Sequence, residues 1–211
     1  MSRVGLRADR RRPGSVVIMI DGARFASLPD KRVAELGLRQ GIEIRDATLA
    51  RVEAAVDAEN AYQRAVRLLA SRPRASYEML RRLRAAGHNP SAAAEAVGRL
   101  AVRGLLDDAA FARHFARTRS ARGHGPGRLL RDLLMRGVDR RMAEVAIAEV
   151  QEAEGTDPRV QAEQLAVKRS AQLGRLAPEV KLRRIVGFLA RRGFAGAEVV
   201  AMVRRVVSRG I

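Results

Sequence analysis

The sequence predicts an all-α protein, with three tandem three-helix repeats forming an elongated curved array behind a small N-terminal β-containing extension. Three observations predict it. Aliphatic residues recur at the same offsets around three glycines, Gly87, Gly137 and Gly193. The composition is 47% apolar but only 3% aromatic, with no Trp, which suits closely packed Leu/Val/Ala helices better than a β-sandwich. Near the N-terminus, Ser15 to Ile20 is a β-branched run ending at a turn dipeptide, Asp21-Gly22, and reads as one strand.

Taken in order, residues 1–14 are basic and uncapped and are expected to form a disordered tail. Residues 15–47 are expected to form a small strand/helix module of two or three strands. In it, Pro29-Asp30 opens a short helix through Val33 and Leu36, closed by Gly37, and Ile42 and Ile44 lie in a brief extended piece. Residues 48–106, 107–154 and 155–211 are the three helical repeats. Each opens with an upstream helix, at Ala61–Ala70, Ala109–Arg119 and Val160–Ser170. Eight residues before the glycines stand Met79, Leu129 and Ile185, seven before stand Leu80, Leu130 and Val186, and four before stand Leu83, Leu133 and Leu189. That spacing lays three aliphatic side chains on one helical stripe, which the glycine ends in a left-handed cap. One residue after each glycine stand His88, Val138 and Phe194; a third helix then carries Val97, Ile147 and Val203 at ten and Leu100, Val150 and Val206 at thirteen. A 50-residue unit buries little apolar surface by itself, so neighbours must stack.

Charge narrows the partner. Lys and Arg number 41 against 23 Asp and Glu, a net charge of +18. Residues 1–60 hold 11 basic and 9 acidic side chains, while residues 61–211 hold 30 and 14. So uneven a field favours a polyanion, because each phosphate contact releases condensed counterions. Only Lys31, Lys168 and Lys181 are lysines; a GC-rich codon bias explains that ratio but not the net charge. With no cysteine, disulfides and thiolate chemistry are excluded. Arg10-Arg-Arg12 before Val16–Ile20 imitates a signal peptide, but five apolar residues are too few, and a cytoplasmic protein is expected.

No catalytic, cofactor-binding or metal-binding set emerges. Gly123-His-Gly-Pro-Gly127 lacks the Lys-Ser/Thr ending of a P-loop and follows no strand, so a flexible interhelical loop is expected. Asp107-Asp108 stands where a helix N-cap favours acids. His88, His114 and His124 show no metal spacing and no nucleophile partner. The arginines do form a pattern: Arg81 and Arg131 share a repeat position opposite the apolar stripe, and Arg119, Arg122, Arg128, Arg136 and Arg140 flank the second repeat's middle helix.

Arg72-Pro-Arg-Ala-Ser-Tyr-Glu-Met-Leu-Arg-Arg-Leu-Arg-Ala-Ala-Gly87 resembles the first repeat of the bacterial RecX regulatory proteins. Gly104-Leu-Leu-Asp-Asp-Ala-Ala-Phe-Ala-Arg-His-Phe-Ala-Arg-Thr-Arg119, the most specific segment, and Leu129–Val138 are similar to that family's second repeat. The likeness covers about residues 58–211; Leu105 replaces a usual aromatic, Met135-Arg136 stands in a Lys-Gly approach, and the third repeat is looser. The resemblance implies a monomeric modulator of DNA repair, recombination and the SOS response. It would bind the RecA filament on single-stranded DNA, have affinity for DNA (double-stranded as a secondary ligand), and inhibit ATPase, recombinase and coprotease activities by groove binding or end capping. By matched position it implies Arg119, Arg131 and Arg136 as leading contacts, with Arg81, Arg122, Arg128 and Arg140 behind them, and a structural role for Asp107, Asp108, Phe111 and Phe115. Two rivals stand beside it: a helix-turn-helix-like transcriptional or architectural DNA-binding module, and a metal-dependent nuclease on Asp107 and Asp108.

Overall fold

The structure, a computed structural model, describes residues 1–209, and these divide into two compact units, Met1–Leu106 and the chain from Asp107 onward. The first unit begins with an antiparallel sheet in the order β3-β2-β1-β4, from β1 (Ser2–Ala8), β2 (Ser15–Ile20), β3 (Ala23–Pro29) and β4 (Glu43–Ile44). The expectation of a disordered tail over residues 1–14 is therefore corrected. Val4 and Leu6 alternate with exposed Arg3 and Arg7, and they pair in register with Ile20 and Ile18 of β2, which buries Val4 to 1% exposure. Asp9 completes the hairpin, accepting from Ser27 Oγ at 2.6 Å and from the Arg11 amide at 2.9 Å. Those two hydrogen bonds hold its carboxyl below the usual value. The sheet has four strands where two or three were expected.

Helix α1 (Asp30–Glu35) and α2 (Asp46–Ser71) cover one face of this sheet. Val33, Val52 and Ala55 pack there with Ile18, Leu28 and Ile44. At 26 residues α2 is ~39 Å long, and its other half does a second job. Ala61, Tyr62 and Ala65 form a separate core with α3 (Ser76–Ala85) and α4 (Pro90–Val102). One helix thus belongs to both the sheet module and the first repeat.

In the second unit α5 (Asp108–Ser120), α6 (Pro126–Leu134) and α7 (Arg140–Ala153) make the second trio, and α8 (Pro158–Gln172), α9 (Pro178–Arg191) and α10 (Ala197–Ser208) the third. The three glycines are equivalent in detail. Gly87, Gly137 and Gly193 have φ of 91°, 76° and 89°. The amides of His88, Val138 and Phe194 each reach back to the carbonyl of Leu83, Leu133 or Leu189, at 3.2, 3.2 and 3.0 Å, the six-to-one bond of a Schellman cap. Met79, Leu129 and Ile185 are buried together with those three leucines, and so are Leu100, Val150 and Val206. Asn89 and Asp139, two residues past their glycines, cap α4 and α7 through side-chain oxygens. The third trio departs here: its last helix starts one residue later, at a Gly196 N-cap with no side-chain oxygen.

The turn before α3 is held by one acid. Glu78 accepts from Arg72, from Arg74 at 2.8 Å and from Arg82 at 2.9 Å. Burial alone would raise its carboxyl pKa, but the arginine hydrogen bonds outweigh it, so the pKa lies below the unfolded value of 4.5. The unfolded chain then binds this proton more readily than the folded one. The cluster's stabilisation is complete above pH 4.5 and disappears as pH falls through the folded value. Denaturation measured from pH 7 to pH 3 is expected to show stability dropping below 4.5. Glu78→Gln should be less stable at pH 7 and lose part of that slope; an unchanged slope would assign the acid sensitivity elsewhere.

Candidate functional site

The second repeat assembles most of the candidate arginines, beginning from its capped start. Asp107 accepts from the Ala110 amide at 2.8 Å and caps α5. Among the described residues no group of three or more His, Cys, Asp or Glu is placed to hold a metal. Asp107→Ala is expected to cost ~1 kcal/mol in a denaturant titration, as an ordinary cap does, and to leave nucleic-acid binding untouched; a loss of binding at unchanged stability would count against the capping role.

Phe111 and Phe115 then fall on the buried face of α5, their rings stacked at 6.1 Å. The guanidinium groups of Arg119 and Arg136 lie 5.5 and 4.6 Å from the Phe115 ring centre. Arg136 also donates to the Asp132 carbonyl. Both arginines are half-buried, and their stems cover apolar surface. Arg128 stands between two acceptors, the Arg191 carbonyl at 3.2 Å and the Asp132 carboxylate at 3.7 Å. Exposed Arg140 pairs with exposed Glu144 at 3.4 Å, a geometry that contributes little. Arg131 is different. It is exposed on α6 and forms no ion pair among the described residues, and the same holds for Arg81 at the equivalent point of α3 in the first unit. Arg122 is exposed in the turn after α5.

The glycine-rich segment is not the flexible loop expected. Gly125 and Gly127 donate their amides to the carbonyls of Arg192 (2.7 Å) and Gly193 (3.2 Å), and Arg192 returns Nη1 to the carbonyls of Arg122 and Gly123. The positive end of α6 therefore meets the negative end of α9, each satisfying groups the other leaves open. Glycine is needed for this approach: a Cβ on Gly125 would lie 2.7 Å from the Phe194 ring, and one on Gly127 3.0 Å from the Gly193 carbonyl. These amides are occupied, so they form no phosphate cradle. His124 sits inside the joint. Burial, then Arg128 and Arg119, depress its pKa below the usual histidine value, which favours the neutral imidazole.

Arg192 was absent from the sequence-derived set, although the signal was there. It stands one residue before Gly193 as Arg136 stands before Gly137, and it lies over Phe188 at 4.7 Å as Arg136 lies over Phe115. A further cavity of about 810 Å³ opens between the starts of α6, α8 and α10; Phe194, Pro126 and Met202 give it an apolar wall. Among the described residues no helix is long and apolar enough to cross a membrane.

Comparison with known proteins finds the same architecture. Residues 61–100 match the family model for the first three-helix domain of RecX, and residues 107–147 the one for its second three-helix domain. "Regulatory protein RecX" of Lactobacillus delbrueckii subsp. bulgaricus is 30% identical over 199 residues, covering 94% of this chain and 72% of that protein. Its counterpart in Halorhodospira halophila is 36% identical over 147 residues, 70% of this chain and 88% of that one. Among solved structures, one described as regulatory protein RecX superposes with a TM-score of 0.77 at 20% identity, over 97% of this chain and all of the other. RecX from Lactobacillus salivarius gives 0.60 at 20% identity, over 72% of this chain and 97% of the other.

Proposed function

The chain belongs to the RecX family of regulatory proteins, and from that membership we propose that it binds the RecA filament on single-stranded DNA and inhibits its ATPase, recombinase and coprotease activities. It acts in the cytoplasm, by binding alone, and catalyses no reaction. The observation that most supports this reading is the recurrence of Arg81 and Arg131, both outward and without an ion pair among the described residues, at one position on the glycine-capped middle helices of successive repeats. A repeated cation suits a polymer with repeated negative charge more than a small molecule. Arg131 and Arg81 are the leading contacts, and Arg122 and Arg140 rank next; Arg119, Arg128 and Arg136 divide their donors between packing and the partner. The protein shifts the filament by favouring one of its states over another.

The test is the single-strand-dependent ATPase of the cognate RecA at increasing concentrations of this protein. Inhibition is expected. Onset at one molecule per many RecA protomers indicates capping of filament ends, and a requirement for near-saturation indicates binding along the groove. Unchanged ATPase with retained DNA binding would overturn the proposal in favour of a DNA-binding module.

A further inference from the structure

A second cavity, of about 630 Å³, lies between the turn at Ala121–Gly123, α8 and α9. Its wall carries four cationic side chains, Arg122, Lys168, Arg169 and Arg192, and no Asp or Glu. None of the four forms an ion pair among the described residues. Arg169 and Arg192 pack against the Phe188 ring, 5.6 and 4.7 Å from its centre, so their positions are set by an apolar floor. Arg169 gives Nη1 to the Gln172 side-chain oxygen at 3.0 Å, while its Nε is buried with no hydrogen-bond partner. Gln164 adds an amide with both donor and acceptor capacity to the same wall.

Four like charges around one cavity repel, and a buried N–H without an acceptor costs free energy. An anion rich in acceptor oxygens answers the charge directly, and it offers the Arg169 Nε an acceptor once that side chain turns toward the cavity. Arginine forks match the paired oxygens of a phosphate, and a lysine supplies a point charge beside them. The volume exceeds what a lone oxyanion fills and falls in the range of small-ligand pockets, and the glutamine amides can meet a base edge or a sugar hydroxyl. We infer that this cavity is a nucleotide-phosphate site, taking either a free nucleotide or one nucleotide of a strand. It rests on the polyanion reading above only in choosing a nucleotide as the carrier of the phosphate.

The full chain is titrated calorimetrically with pyrophosphate, with ATP without added metal, and with 5′-phosphorylated (dT)3, and melted with and without each. One-to-one binding and a raised Tm are expected for pyrophosphate and for at least one nucleotide. Binding of ATP alone assigns the free nucleotide as the source, and binding of (dT)3 alone assigns the strand. Lys168→Gln, at an exposed position, and Arg169→Gln should each weaken that binding about tenfold or more, while Arg204→Gln, an exposed cation of α10 outside the cavity, leaves it unchanged. Should Arg169→Gln fail to fold, Lys168→Gln carries the test. Absence of saturable binding, or equal binding by wild type and Lys168→Gln, overturns the inference. The RecA ATPase assay separates the two proposals. Inhibition of the filament with no probe bound retains the regulatory function and removes the pocket. Pyrophosphate binding lost in Lys168→Gln, with no inhibition of RecA, does the reverse.

Discussion

Gly193→Ala is expected to destabilise the unit from Asp107 onward by more than about 3 kcal/mol, whereas Gly87→Ala, at the matching point of the first repeat, should cost its own unit about 1–3 kcal/mol. Both residues hold a left-handed φ, 89° and 91°, which a Cβ disfavours. For Gly87 that is the whole cost, because nothing lies within 4 Å of where its Cβ would be. For Gly193 the added carbon would overlap the Arg128 backbone nitrogen and sit 2.6 Å from the Arg128 Cβ. Neither neighbour can move without breaking the hydrogen bonds that the Gly125 and Gly127 amides donate to the carbonyls at the end of α9. Denaturant titration of the full chain gives the two losses, and hydrogen exchange should show the amides of Gly125 and Gly127 exposed in the Gly193 variant only. Equal losses for the two variants would mean that the α6–α9 joint contributes no stability.

Neutralising Arg81 and Arg131 together is expected to weaken binding to the RecA–DNA filament about a hundredfold, from two charge-assisted contacts discounted for exposure, without changing the melting curve. Both side chains are exposed, so removing their charge leaves no buried group unpaired. If they meet phosphates, the slope of log affinity for bare single strand against log salt should also fall by about 1.4, some 0.7 for each phosphate no longer neutralised. If they meet acidic side chains of the filament protein, filament affinity falls and binding to bare strand does not. An unchanged filament affinity in Arg81→Gln/Arg131→Gln would leave these residues without a role in recognition.

The repeat was legible because a helix end is a local device. A glycine, an aliphatic residue four before it and a large side chain one after it (His88, Val138 or Phe194) determine a Schellman cap within a few positions, and the three instances could be aligned without knowing what they touch. The sheet was only half legible. Strand β2 announces itself by a β-branched run, but β1 is Arg-rich and its Val4/Leu6 alternation gains meaning only beside Ile18 and Ile20. The candidate site was least legible. That Gly125 and Gly127 serve close approach, and not mobility, depends on α9 residues more than 60 positions away. Arginine spacing likewise could not separate Arg131, which faces outward, from Arg136, which covers a phenylalanine ring.

Because α2 passes unbroken from the sheet into the first repeat, the two share one spine and neither can be cut away cleanly. A chain trimmed ahead of Asp46 would strand Val52 and Ala55 in water, and the orphaned turns, too short to persist unaided, would unravel toward Tyr62. The N-terminal extension is thus a brace for the first repeat's footing.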